Sequence, residues 1–286
     1  MRKSRSLWLT QGRRTIGRTT QQFIMITMTF LALFPIYYMV VTTFKTRQEY
    51  HHNMFGPPMH FVLTNFEKSF RSGQQFITWL LNSTIITFFS VFIGIIFASL
   101  AGYAFAHMDF RGKRTLFNFT ISIMVIPAVV MIIPLFDLFV RLGILNTRPS
   151  AILIYVGLIL PFCIYMLANF FITIPKDILD AAKIDGCSHL RILWLIMLPL
   201  SKPVIITLMV VNAIWVWNEL LIAMVFLQAD KLKTLMTGLI LFKSRNILDL
   251  PMIMSGMVVM TIPMFILFIV GIRYFMKGLY AGSIKG

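Results

Sequence analysis

One acidic residue stands deep inside an apolar run of this chain: Glu219, in VVNAIWVWNELLIAMVFL at 210–227. A carboxylate at the middle of a bilayer costs about 2.5–3.5 kcal/mol on insertion scales, so it must face a partner or a wet cavity. Asn212, Trp215 and Glu219 are spaced i, i+3 and i+7, one face of a helix drawn through them. Asn218 falls off that stripe and is placed to brace a neighbouring helix. Upstream, Tyr155, Phe162, Tyr165 and Asn169 fall on one broad face of another apolar run. Rings combined with amide and carboxylate groups suit a sugar, which offers apolar C–H faces and hydroxyl edges. The same stripes equally suit packing against another apolar chain, with the polar groups as interhelical hydrogen bonds. Both readings, translocation path and interface, stay open on the residues alone.

A second cluster is chemically different. In LDAAKIDGCSHLRILWLIMLP, Leu179 to Pro199, the chain turns small and charged, breaks at Asp185-Gly186 and becomes apolar again. Pro175 and Asp177 suit a helix start, with proline near the first turn and a carboxylate at the positive end. Ile178 to Asp185 then gives about two turns, and Gly186 supplies the left-handed conformation that ends a helix. Leu190 to Leu198 reads as a second short helix, with Pro199 and Pro203 marking the passage into the next apolar run. Ala181 and Ala182 keep the first helix thin enough for another backbone to approach. Asp180, Lys183 and Asp185 keep it soluble when undocked. Such a knob, tied directly to an apolar helix, suits a mechanical lever, and the same composition equally suits an ordinary solvated loop with a helical turn.

Other chemistries fail on context. GRRTIGRT at 12–19 imitates a phosphate loop, but Arg18 replaces the lysine, no strand precedes it and no nucleotide-binding core follows. His51, His52 and His60 lack ligand spacing and a supporting cysteine or carboxylate set, so no metal is expected. Asn82-Ser83-Thr84 matches a glycosylation sequon, but it opens an apolar run and reads as a polar helix surface. Cys163 and Cys187 lie in an apolar run and a charged loop, so no disulfide is expected. No nucleophile–base pair occurs in a matching context, and the chain is expected not to be an enzyme.

The elements that position these groups follow from composition. Of 286 residues, 58% are hydrophobic and 13% charged, about half the charged share of a soluble domain. Six apolar runs are long enough to span a bilayer, at 22–44, 78–107, 116–139, 150–173, 203–227 and 253–275. The expected fold is therefore an all-α membrane protein with six transmembrane helices. Prolines 127, 134, 161 and 263 lie within runs and imply kinks. The net charge of +16 would suggest nucleic acid in a soluble protein, but no basic face interleaved with aromatics lies outside the runs. The basic residues instead set orientation. Sixteen of the 26 Lys and Arg fall on the side that holds both termini, the 108–115 loop and the 174–202 loop. That side is cytoplasmic, so the Leu179–Pro199 stretch faces the cytoplasm. MRKSRS and the run after it read as an uncleaved signal-anchor. The chain thus divides into a basic cytoplasmic N-tail (1–21), a transmembrane domain (22–275, loop 174–202 between helices 4 and 5) and a cytoplasmic C-tail (276–286).

The Leu179–Pro199 stretch also resembles the EAA loop of ABC-importer permeases, E-A-A-x-x-x-G-x9-I-x-L-P. Asp180, Ala181, Ala182, Gly186, Ile196, Leu198 and Pro199 fall at those positions, Asp180 one methylene shorter than the usual glutamate. TNFEKSF, YAFAHMDFRGKR (103–114), LGILNT (142–147), IPKDILDAAKIDG (174–186), WNEL (217–220) and GLYAGSIKG (278–286) are similar to carbohydrate-uptake permeases of the maltose-permease type. The resemblance runs from about residue 22 to Gly286.

What the resemblance implies is half of a sugar-translocating pore in a bacterial inner membrane. The implied partners are a homologous second permease subunit, two ABC ATPase subunits that bind ATP and Mg, an extracytoplasmic sugar-binding protein and membrane lipid, with no nucleic acid. The implied role of Asp180, Ala181, Ala182, Asp185, Gly186, Ile196, Leu198 and Pro199 is coupling to the ATPase, with no cofactor held by this chain. A polyol or glycerol phosphate is the alternative substrate, and a stand-alone carrier or channel the alternative class. A phosphate would favour Arg or Lys well inside a run, and the sequence places none there.

Overall fold

The computed structural model describes residues 2–71, 75–245 and 249–283, and every described element is helical. Among the described residues, four helices are long and apolar enough to cross a membrane: Thr20–Thr43 within α1 (Arg2–Thr43), α4 (Gln75–His107), α7 (Arg148–Ile172), and Leu250–Ile272 within the last helix (Leu250–Ser283). Two further pairs pass the same test only if each bent pair is one span. These are α5 (Lys113–Ile123) with α6 (Ala128–Arg141), bent by 99°, and α9 (His189–Leu200) with α10 (Lys202–Asn218), bent by 79°. The chain separates into two compact units.

The smaller unit comprises residues 1–71 and 246–258. The basic N-terminal residues continue as one helix into the first apolar run, so α1 begins well before the expected run at 22. After it come α2 (Arg47–His52), which carries the exposed His51 and His52, and α3 (Thr64–Arg71). Lys45 is fully buried at the foot of α1, where its ammonium donates to the carbonyls of Asn53 (2.7 Å) and Met54 (3.2 Å). Burial pulls its pKa below the usual lysine value, and Glu49 opposes that shift. Asn65 donates to Thr43 O and Lys45 O, closing the turn around it. Ser69 and Ser255 hydroxyls meet at 2.6 Å and hold the start of the last helix in this unit.

The larger unit, 72–245 and 259–286, is built on α4 against α7. Ser90, Gly94, Ala98 and Gly102 recur every fourth residue of α4, and all four are buried. Small residues at this spacing let helix backbones approach in lipid, where apolar burial gives no drive of its own. A Cβ on Gly102 would stand 3.1 Å from Leu167 Cβ and 3.2 Å from the Ala168 backbone nitrogen. The opposite face of α4 exposes Phe88, Phe92 and Phe97.

Two of the six expected runs are not single helices. The run at 116–139 breaks between Ile123 and Ala128, where Pro127 lies in the extended region and caps α6. The run at 203–227 ends as a helix at Asn218; Glu219 is extended (φ −71°, ψ 131°), and α11 (Leu221–Phe226) begins after it. Apolar composition marks both runs as membrane-embedded but is blind to a break that leaves hydropathy unchanged. Beyond α11, α12 (Leu235–Arg245) is tied back to the first half of α4, where Leu235 N–H donates to Ser83 Oγ at 2.8 Å. Asn82 is fully buried there, donating to Lys231 O and Lys233 O (2.9 Å each) and accepting from Arg148 Nε (2.8 Å). It is an internal brace rather than the polar helix surface expected from the sequon.

Candidate functional site: the lever and the polar cluster

The segment between α7 and α10 folds into a helical elbow. Its first arm, α8 (Lys176–Ile184), starts at Pro175, with Asp177 in the first turn. Its end is a Schellman turn: Cys187 N–H donates to Ala182 O (2.9 Å) and Gly186 N–H to Lys183 O (3.0 Å). Gly186 sits at φ +79°, and a Cβ there would touch nothing within 4 Å. Its requirement is therefore conformational, not steric. Ser188 caps the second arm, its Oγ accepting from Arg191 N–H. The middle of α9, Leu193–Met197, is π-helical. Pro199 stands one residue beyond, after Leu198; it lacks an N–H and would crowd the carbonyl of Leu195 four residues back, and a widened turn relieves that crowding.

The structure sorts the expected lever residues by face. Leu179 and Ala182 are buried in this chain's own core, and Ile196 and Leu198 pack partly against it. Asp180, Ala181, Asp185, Gly186 and Pro199 are exposed. Asp180 pairs with Lys183 at 3.4 Å in solvent, a contact of little energetic weight. The exposed side also carries apolar groups that the sequence reading left out: Ile184 at 86% exposure, Leu190 at 60% and Leu195 at 62%. Their exposure was not legible, because three side chains in a mixed stretch have no period that assigns a face.

The second set of residues only partly assembles. Glu219 does not continue the Asn212–Trp215 stripe, because the helix has ended. Its carboxylate folds over the start of α11 and accepts from the N–H groups of Leu221, Ile222 and Ala223 at 2.9–3.3 Å. Tyr155, fully buried on α7, donates its hydroxyl to Glu219 Oε2 at 2.8 Å. The Trp215 ring meets Tyr155 edge-on, centroids 6.0 Å apart. So Tyr155, Trp215 and Glu219 come together, with Trp215 reaching the surface. Asn212 is buried elsewhere on α10, donating to Leu208 O and towards Cys163 Sγ (3.3 Å). Asn218, expected to brace a neighbouring helix, bonds Ile214 O of its own helix (2.8 Å). Asn169 likewise bonds Tyr165 O, and the exposed Tyr165 ring stacks near Phe117.

The chain is similar to known membrane transport proteins. The family model described as the inner membrane component of binding-protein-dependent transport systems matches residues 90–279. The melibiose/raffinose/stachyose import permease MelC of Bacillus subtilis (strain 168) is 32% identical over 256 residues, 88% of this chain and 91% of its own length. The arabinooligosaccharides transport permease AraQ of the same organism is 31% identical over 264 residues, covering 90% of this chain and 92% of AraQ. Among solved structures, a bacterial ABC transporter that imports the acidic polysaccharide alginate shares the fold. Its TM-score is 0.79 at 24% identity, over 92% of this chain and 97% of that one.

Proposed function

The chain belongs to the family of inner membrane components of binding-protein-dependent transport systems, and from that membership we propose that it is one permease subunit of an ATP-driven importer for a sugar or oligosaccharide. The observation that carries the reading is the α8–α9 elbow: a polar, exposed lever ending in a left-handed glycine, set between apolar helices. A stand-alone carrier has no use for such a lever, and membership in this family argues against one. MelC is named for melibiose/raffinose/stachyose import and AraQ for arabinooligosaccharide transport, and these relatives support a carbohydrate substrate here.

In this reading each bent pair is one span, giving six, and the excess of Lys and Arg on one side puts both termini and α8 in the cytoplasm. Domain limits stay at 1–21, 22–275 and 276–286. α8 is the coupling helix of loop 174–202 and docks on an ATPase subunit. ATP and Mg belong to the two ATPase subunits, not to this chain. A second permease subunit completes the pore, and an extracytoplasmic binding protein delivers the sugar. A solved alginate transporter in complex with a pentasaccharide-bound periplasmic protein supports the last of these partners. Tyr155, Trp215 and Glu219 set the pore side of this half, with Asn212, Asn218, Tyr165 and Asn169 in the path or the permease interface. ATP drives the cycle only by favouring one orientation of the lever over the other, since equal affinity for both states shifts nothing.

The test is uptake by a strain lacking this gene, measured with labelled melibiose, raffinose, an arabino-oligosaccharide and glycerol phosphate. Loss of uptake of one saccharide, restored by the gene, is the expected result. Loss of glycerol phosphate alone would transfer the assignment to the phosphate class, and no loss with any probe would contradict it.

A further inference from the structure

The lever is held by more than its covalent ends. Tyr103, buried one turn before the end of α4, has its hydroxyl 3.0 Å from Nδ1 of His189, the first residue of α9. Their rings meet near edge-on with centroids 5.9 Å apart. One turn further on, His107 ends α4, and its Nε2 donates to the Phe171 carbonyl in the last turn of α7 at 3.0 Å. The Tyr103 and His107 rings pack against each other, 5.6 Å between centroids. Tyr103 also shares one apolar core with Leu179 and Ala182 of α8 and with Ile192 and Leu193 of α9. Gly102, beside it, admits the α7 backbone so closely that a Cβ would stand 3.2 Å from Ala168 N. The end of α4 is thus bonded to the end of α7 and to the elbow.

The junction on the other side is of a different kind. α9 meets α10 at Ser201, across a 79° bend. Ser201 lies at φ −91°, ψ 4°, in the sparsely populated bridge region, and its buried hydroxyl has no hydrogen-bond partner among the described residues. A π-helical turn precedes it, and such turns mark sites where a helix departs from regular bonding.

We propose that Tyr103 and His107 are positioning residues that make α4, α7 and the elbow one rigid block. Movement of the lever then reaches α4 directly through Tyr103–His189, and the block turns against α10 at Ser201. The inference rests on the reading of α8 as the ATPase-docking helix, and it adds which spanning helices the lever carries with it.

The test uses the complete complex, isolated through a tag on this chain and reconstituted in proteoliposomes, with the saccharide accumulated in the uptake panel as probe. Sugar taken up per ATP hydrolysed is measured for Tyr103→Phe, His189→Leu and His189→Asn. Losing one hydrogen bond predicts a three- to ten-fold fall in sugar per ATP for Tyr103→Phe and His189→Leu, with ATPase subunits still bound. The double variant Tyr103→Phe/His189→Leu should be no worse than either single change. His189→Asn, whose amide places a polar atom near the Nδ1 position, should keep at least half of the wild-type ratio. A wild-type ratio in Tyr103→Phe overturns the proposal. Ile184→Asp, on the exposed end of α8, separates the two ideas. If it releases the ATPase subunits while Tyr103→Phe transports normally, only the Tyr103 latch falls. If it keeps them and transports normally, the docking reading falls and the latch with it.

Discussion

Gly186 is where a single backbone angle ends α8. At φ +79° with open space around its Cα, any L-residue fits sterically but is strained by about 1–2 kcal/mol, more if β-branched. Gly186→Val should therefore leave the protein in the membrane at wild-type amount but lower uptake at least ten-fold, because the Schellman turn that orients α8 is lost. Immunoblots of membranes beside uptake assays check it. This glycine was legible, since a small-and-charged stretch followed by Asp-Gly has few other solutions. Glu219 was legible only as an unusual residue. The helical stripe drawn through it assumed that the helix continues, whereas its carboxylate competes for the backbone and caps α11 instead. Glu219→Leu would leave three N–H groups without their acceptor, at about 2 kcal/mol or more. Glu219→Gln should lose about half of that. Thermal unfolding in detergent should rank wild type above Gln above Leu, and equal midpoints for wild type and Leu would remove the capping role.

At the scale of elements, the chain uses two devices that hydropathy cannot register. One is the small-residue stripe Ser90, Gly94, Ala98 and Gly102, which was available in the sequence as a four-residue repeat. Apolar runs draw attention to length, and small residues inside them pass as filler. Gly102→Leu should force α7 away from α4, at about 1–3 kcal/mol for overpacking. A lowered unfolding temperature together with faster amide exchange in 160–172 is the expected signature. The other device is the broken span. Pro134, Pro161 and Pro263 lie inside continuous helices and the break at Glu219 has no proline, so only the position of the 99° break at Pro127 was readable from proline chemistry. The size of each bend was not, because it is set by what the two halves pack against. Asn82 shows the same limit. A sequon at the start of an apolar run says nothing of the Lys231 and Lys233 carbonyls about 150 residues away that bury it.

At the scale of the whole molecule, six apolar runs and their charge asymmetry place the chain in a membrane, while its place among transport components rests on the resemblance of Leu179–Pro199 to the EAA loop and on the family match. What remained hidden was which residues face inward. Ala182 is buried in this chain's own core, Ile196 and Leu198 pack partly against it, and Asp180, Ala181, Ile184 and Leu190 stay exposed, so the docking surface proposed above is this exposed set. That surface has a use only if another subunit covers it. The most direct test is to isolate the tagged chain, expressed with its neighbouring genes, in mild detergent and to identify its companions by mass spectrometry. A second permease and an ABC ATPase at two copies per complex, the ATPase lost on Ile184→Asp, is the predicted result. Recovery of the chain alone, or only with copies of itself, would contradict the account.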